Sequence, residues 1–408
     1  MNTFENLGMS QELLQAVQKL GFAQPTKIQV ESVPSILAGK DVIGESATGS
    51  GKTLAFGCGI IDKVTPKQGL QALVMTPTRE LAEQVKDSLR SFSGEKRLNI
   101  IAVYGGVSIN PQIDDLRRAD VVVGTPGRIL DHLDRRTINL SKVRLLVLDE
   151  ADRMLDMGFI EDVETIIRSC PKERQTLFFS ATLSHEIKEL ANHYMNDPVK
   201  VSASTHVDPS KLKQIYYDIS RNLKLSLLVH MLQNENSGLV MVFCNTRRTV
   251  DFVVKNLKSQ RIKALAIHGG LSQNKRTSMI KMFNDAKAGV LVCTDVAARG
   301  LDIPHVSHVY NYDIPKDAKE YVHRIGRTAR AGEEGIVINL LCDYDYDNFG
   351  RVMKEYPKFN IQTGEAPRIA RIPVKMNDER EERSGDRQRG RTGHHTRERR
   401  PHSRGGRY

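Results

Sequence analysis

The stretch Leu145-Leu146-Val147-Leu148-Asp149-Glu150-Ala151-Asp152 decides the reading. Its four consecutive apolar residues make a run of strand length, buried on both faces as the strands of a parallel sheet are. The acids follow at once, so they sit at the carboxyl end of that strand. In open α/β sheets this end is where ligands bind. Adjacent carboxylates at a buried strand end are costly without a cation, so the pair calls for Mg²⁺. Asp149 suits ligation of Mg²⁺ through water, and Glu150 suits positioning or polarising an attacking water. A helix N-terminal cap is the plainer alternative for these acids.

Outward from this strand, similar runs occur at Ala72–Met75, Ile100–Val103, Val121–Val123 and Thr176–Phe179, separated by helical patterns such as Thr78–Ser91 and Asp162–Ser169. A second series follows at Leu239–Phe243, Ala264–Ile267, Val290–Cys293, Val306–Tyr310 and Gly335–Leu341. Strands alternating with helices argue an α/β fold, parallel sheets with helices on both faces. A chain of 408 residues exceeds what one core usually supports. Between the two series lies a polar stretch containing Pro209. Domains are therefore expected at 1–204 and 213–375, with a linker at 205–212.

Residues 377–408 contain no Val, Ile, Leu or Phe and are rich in Arg, Gly, Ser and His. Such a segment cannot bury enough apolar surface to fold, so 376–408 reads as a disordered basic tail. The net charge is +11, and eight Arg against one Glu from Arg387 to Tyr408 account for +7 of it. The tail is therefore the electrostatic outlier, suited to a salt-sensitive hold on a polyanion. The five cysteines have neither metal-knuckle nor redox spacing and read as core residues. No run approaches a membrane span and no signal-peptide pattern opens the chain, so a cytoplasmic location is expected.

Thr48-Gly49-Ser50-Gly51-Lys52-Thr53 follows a short strand, Asp41–Gly44, and precedes a helical run. A phosphate-binding loop needs this context, because glycines let backbone N–H groups turn toward phosphates and the helix adds its positive end. Lys52 can reach the β- and γ-phosphates, and the Thr53 hydroxyl can face Mg²⁺. Ser46 stands where the strict pattern has its first glycine.

With Asp149-Glu150-Ala151-Asp152 as its literal signature, the chain resembles the DEAD-box family of RNA-dependent ATPases over roughly residues 4–365. The resemblance implies two tandem RecA-like domains, ATP and Mg²⁺ as cofactors, and RNA as partner. The segment 2–30, with Phe4 and Gly21-Phe22 before Pro25-Thr26-Lys27-Ile28-Gln29, looks like the adenine-reading Q motif. There Phe4 would stack on the base, with Thr26 beside Gln29, whose amide suits the adenine edge. Pro77, Arg79, Gly105, Gly106, Thr125 and Arg128 look like first-domain RNA contacts. Each group follows a strand run, so all fall on one sheet edge, suited to holding a backbone without reading sequence. In the second domain the resemblance implies RNA contacts for Thr246, Arg276 and Thr294 and a ribose contact for Asp302. Ser180-Ala181-Thr182 resembles the motif linking the ATP site to strand separation, with hydroxyls able to bond Asp152 and its neighbours. His323-Arg324-Ile325-Gly326-Arg327-Thr328-Ala329-Arg330 is the most specific second-domain motif. It implies Arg327 and Arg330 as arginine fingers, three apart on a helical stretch and so on one face. His323 and Arg324 would connect them to the acids and to Ser180.

These residues imply an ATP-dependent RNA helicase that acts locally and non-processively on duplexes and ribonucleoproteins. An RNA clamp or annealing chaperone with RNA-stimulated ATPase is the alternative. The intact set of Lys52, acids and arginines argues against a module with a dead ATPase. A DNA helicase is disfavoured only by the resemblance. Ribonucleoprotein or ribosomal partners fit the class.

Overall fold

The computed structural model describes residues 3–46, 49–203, 212–235, 237–298, 303, 305–329 and 334–375. The first sheet has seven strands: β1 (Val42–Glu45), β2 (Ala72–Met75), β3 (Ile100–Val103), β4 (Val121–Gly124), β5 (Leu145–Asp149), β6 (Gln175–Ser180) and β7 (Val199–Ser202). The second also has seven: β8 (Leu212–Asp218), β9 (Leu239–Phe243), β10 (Ala264–Ile267), β11 (Val290–Cys293), β12 (Val306–Asn311), β13 (Gly335–Leu341) and β14 (Ile361–Thr363). Pairings in both are parallel. The first is ordered β3-β4-β2-β5-β6-β1-β7 and the second β10-β11-β9-β12-β13-β8-β14. Counted from its own first strand, the second order is the same, so the fold is a tandem repeat of one α/β topology. Both sheets belong to one compact unit.

Each sheet is buried on both faces, which explains its continuous apolar strands. In the first, Ala72, Val74, Leu145 and Val147 face one cluster, while Leu73, Met75, Leu146 and Leu148 face another. Likewise Met241, Phe243 and Leu291 face one side of the second sheet and Val240, Val242 and Val290 the other. The helix Arg79–Ser93 shows how such a layer forms. The Thr78 side chain accepts from Leu81 N–H, and Leu81, Val85, Leu89 and Phe92 recur at helical spacing on the buried face. All five cysteines are buried, and burial pushes the Cys58 thiol up to about 12 and that of Cys170 to about 11. They are inert packing groups.

The expected linker and tail lie mostly outside the described residues, and β8 begins at Leu212, the last position assigned to the linker. The strand order divides the first loop edge in two. Adjacent β5, β6 and β1 lead to the acids, to Ser180 and to the glycine loop, whereas adjacent β3, β4 and β2 lead to Gly105, Thr125 and Pro77.

Candidate active site

The glycine loop leaves β1 and enters the helix Lys52–Lys63, with Gly51 as its N-cap at φ +93°. A Cβ on Gly51 would lie 2.4 Å from Gln29 Nε2, so only glycine fits both the dihedral and the space. Gln29 ties this loop to the segment before it. Thr26 N–H donates to Gln29 Oε1 at 2.9 Å, and Gln29 Nε2 donates to the Gly51 carbonyl at 3.0 Å. With 4% exposure and both ends of its amide engaged, Gln29 acts here first as a brace, keeping one N–H and one lone pair. Phe4 is 6% exposed and packed in the same apolar cluster as Leu7 and Ile28. Its ring is a core element and offers little face to a base, because the short helix Phe4–Leu7 turns it inward. Phe22, tilted against Phe92 and 45% exposed, is the accessible ring of this segment. Thr48 lies outside the described residues, and Gly49 adopts φ +81°.

Lys52 is buried, with Nζ 3.3 Å from the Ser46 carbonyl, to which it donates, and 3.9 Å from Asp149 Oδ1. Ser50 Oγ donates to Ser46 Oγ at 3.0 Å, and Thr53 opens the helix half-buried. Ser46, where the strict pattern has glycine, thus organises the loop. Burial pushes the Asp149 carboxyl up to about 6, with Lys52 pulling it down and Glu150 pushing it up. Asp149 Oδ1 is buried and accepts no hydrogen bond from the described residues. An orphaned carboxylate oxygen beside a phosphate loop fits a divalent cation, and an oxygen-donor set of this kind suits Mg²⁺.

Glu150 takes the left-handed conformation, φ +54°, between β5 and the helix Ala151–Asp156. Asp152 is tied to the end of β6. Its Oδ2 accepts from Ala181 N–H (3.2 Å), Thr182 N–H (3.0 Å) and the Thr182 hydroxyl (3.3 Å), while Asp152 N–H donates to Ser180 Oγ (3.2 Å). Ser180 Oγ in turn donates to the Thr182 carbonyl at 2.7 Å. A shift of the Asp152 helix must therefore move the Ser180–Thr182 turn.

On the other half of the edge, the Arg79 guanidinium lies across the glycine pair, and a Cβ on Gly106 would sit 1.9 Å from its Nη1. Arg128 braces the same turn through Val107 carbonyl (3.0 Å) and Gln112 Oε1 (3.2 Å). Gly106 is exposed, whereas Pro77 is buried, so its ring shapes the turn rather than offering a contact. Thr125 is half-buried and opens the helix Pro126–Asp134. In the second sheet Thr246 caps the helix Arg247–Ser259, exposed, and Thr294 lies nearly buried after β11. The two faces meet through Glu80. Its Oε1 accepts from Gln273 Nε2 at 2.8 Å and pairs with Arg276 Nη2 at 3.1 Å, and Arg276 also donates to the Ala297 carbonyl at 3.3 Å.

Two expectations for the second domain change. The helix Ala318–Ile325 ends at its Gly326 cap, so Arg327 lies beyond it, off the helical stretch expected to carry it. Thr328 Oγ1 donates to the Val306 carbonyl at 2.5 Å and Ala329 has φ +53°, which hold the chain in a turn. Arg330, like Asp302, lies outside the described residues. Arg324 is 1% exposed and grips Asp295 with two bonds of 2.5 and 2.6 Å. It also donates to Asn311 Oδ1 (3.1 Å), Asp313 carbonyl (2.5 Å) and Asn245 Oδ1 (2.9 Å). These partners all belong to the second domain, so Arg324 braces that domain instead of reaching Asp152 or Ser180. Desolvation forces this, because a buried guanidinium needs its donors filled nearby. Arg327 and His323 line a small cleft with Phe243, Asp295 and Glu320.

Residues 26–190 match the DEAD/DEAH box helicase family and residues 223–332 the helicase conserved C-terminal domain. A DEAD-box ATP-dependent RNA helicase CshA of Geobacillus kaustophilus is 47% identical over 345 residues, 84% of this chain and 74% of the relative. One of the same name from Bacillus cereus is 47% identical over 83% of this chain, which spans 65% of that relative's length. Among solved structures, S. cerevisiae Dbp5 bound to RNA and ADP BeF3 superposes with a TM-score of 0.81 at 31% identity, over 90% of this chain and 96% of that one. The acids, the glycine loop, the doubled topology and these matches agree, and the chain belongs to the DEAD-box helicase family.

Proposed function

We propose that the chain is an ATP-dependent RNA helicase, hydrolysing ATP to ADP and phosphate and unwinding or remodelling short RNA duplexes locally. One observation carries this reading: Glu80, next to Arg79 on the RNA half of the first edge, joins Gln273 and Arg276 of the second domain. A single RNA strand along that edge then touches both sheets. The nucleotide loop lies on the same first edge, so strand and nucleotide share one joined arrangement and each favours the other. The relatives' name and the RNA and ADP BeF3 bound to Dbp5 support the same substrates.

Within the site, the loop N–H groups and Lys52 hold the phosphates. Thr53 and Asp149 would hold Mg²⁺, largely through water, where its charge offsets that of the phosphates and of the buried acids. Glu150 orients the attacking water. Arg327 and Arg330 come from the second domain to balance developing charge, an effect worth about 10³–10⁵ in rate. Asp152, Ser180 and Thr182 couple the acids to the edge that holds the strand. Phe22 supplies the open aromatic face for adenine and Gln29 its remaining polar edge. Asp302 takes the ribose, and His323 links the fingers to the acids. Thr125, Thr246 and Thr294 hold backbone phosphates beside Arg79, Gly105 and Gly106. The basic tail adds a salt-sensitive grip on RNA. Cytoplasmic ribonucleoprotein work fits this chemistry, and no helix among the described residues is long and apolar enough to cross a membrane.

Strand-displacement and ATPase assays, run on the wild type beside Glu150→Gln with RNA and DNA in parallel, test the reading. RNA-stimulated turnover with displacement of short duplexes is expected, with Glu150→Gln binding both ligands but not turning over. RNA-stimulated turnover without displacement would move the assignment to an RNA clamp. Equal stimulation by DNA would overturn the substrate.

A further inference from the structure

Arg153 is among the most enclosed charges of the site. Its side chain is 3% exposed, and its Nη1 donates to Glu150 Oε2 at 2.5 Å. The other acids are held differently. Asp152 is filled by N–H groups and a hydroxyl, including Arg153 N–H on Oδ1 at 3.1 Å, and Asp149 faces Lys52. Glu150 also sits on a left-handed backbone at φ +54°, where a Cβ crowds the following carbonyl and strains the residue. A strained residue keeps its conformation only if its surroundings over-determine it. Here the ion pair spans one helical turn, from the strained residue to a side chain walled in by protein.

We propose that Arg153 is a positioning residue for hydrolysis, fixing the Glu150 carboxylate on its strained turn so that it meets the attacking water in one orientation. Arg153 itself touches neither nucleotide nor water. The inference rests on Glu150 being the group that orients the water.

The test compares Arg153→Gln and Arg153→Lys in the full chain with RNA present. Loss of orientation lowers kcat for Arg153→Gln by about 10–100-fold, since a misplacement of about 1 Å costs up to about 10². KM for ATP stays within about threefold, because binding does not use Glu150. Arg153→Lys, which keeps the charge, recovers about half of the loss on a logarithmic scale. A second readout needs no turnover: the drop in thermal midpoint caused by Arg153→Gln in the ligand-free chain is smaller in a Glu150→Gln background. A kcat for Arg153→Gln within about twofold of wild type, or equal midpoint drops in the two backgrounds, overturns the proposal. Wild-type turnover by Glu150→Gln would instead overturn the assignment of Glu150.

Discussion

Replacing Glu80 by Gln should weaken RNA and ATP binding together. The Glu80 side chain is 5% exposed and that of Arg276 15%, so their pair is poorly screened. Glu80 Oε1 receives two donors from the second domain, Gln273 Nε2 and Arg276 Nη2. A hydrogen bond to a charged group contributes about 1.5–3 kcal/mol, a neutral one about 0.5–1.5. Neutralising Glu80 therefore loses about 1 kcal/mol per bond, about 2 kcal/mol in all, with the geometry kept. That is roughly 30-fold in the equilibrium of the joined arrangement. Because both ligands draw on that arrangement, linkage lowers both apparent affinities by the same factor. Anisotropy of a labelled single-stranded RNA, with a non-hydrolysable ATP analogue in excess, reads one affinity, and the converse titration reads the other. A loss confined to one ligand would refute the reasoning. So would tighter RNA binding, which would show that Glu80 competes with RNA phosphate for Arg276.

Three further outcomes follow from the geometry. Gly106→Ala places a Cβ 1.9 Å from Arg79 Nη1 at φ +80°, displacing the guanidinium. RNA affinity should fall about tenfold, about 1.4 kcal/mol, with ATP affinity in the absence of RNA unchanged, and an RNA titration superimposable on wild type would contradict this. Arg324→Met leaves the half-buried Asp295 without its cation and should destabilise the second domain by about 3 kcal/mol, so an unshifted denaturant midpoint would refute its bracing role. Asp149 carries a pKa raised from 3.8 to about 6, so the ligand-free folded chain holds a proton that the unfolded chain releases in this window. This group therefore adds stability as pH falls from about 6 towards 4, whereas Mg²⁺–ATP affinity, which needs the ionised form, falls over the same range. Melting curves and Mg²⁺–ATP titrations across that window should trend in opposite directions, and parallel trends would exclude Asp149 as the group responsible.

The strands β2, β3, β9, β10, β11 and β13 coincide with apolar runs visible in the sequence, because strands buried on both faces need no polar alternation. The strands β7, β8 and β14 escaped, since Val-Lys-Val-Ser, Leu-Lys-Gln-Ile-Tyr-Tyr-Asp and Ile-Gln-Thr mix polar residues into half-exposed positions. Motif residues were legible where their placement depends on a strand end, as for Asp149 and Lys52. They were misread where it depends on what lies across the fold. Nothing local reveals that Arg324 spends its donors on Asp295 and Asn245, or that the helix before Arg327 stops at Ile325. Phe4 and Phe22 are both aromatic residues near the same motif, and only packing shows which one is enclosed. Glu80 meets Gln273 across 193 residues, a contact no spacing rule anticipates. Arg153 stands one residue after the acids, and only the fold shows that its side chain is buried against Glu150.

The most direct test of the account is the ATPase rate of the full chain with and without single-stranded RNA, for wild type and Arg327→Ala. If hydrolysis needs the second domain brought to the acids, RNA should raise the wild-type rate steeply. Arg327→Ala should then lose about 10³-fold or more of the stimulated rate while still binding ATP. A wild-type rate indifferent to RNA, or an Arg327→Ala rate still stimulated to the wild-type level, would contradict it.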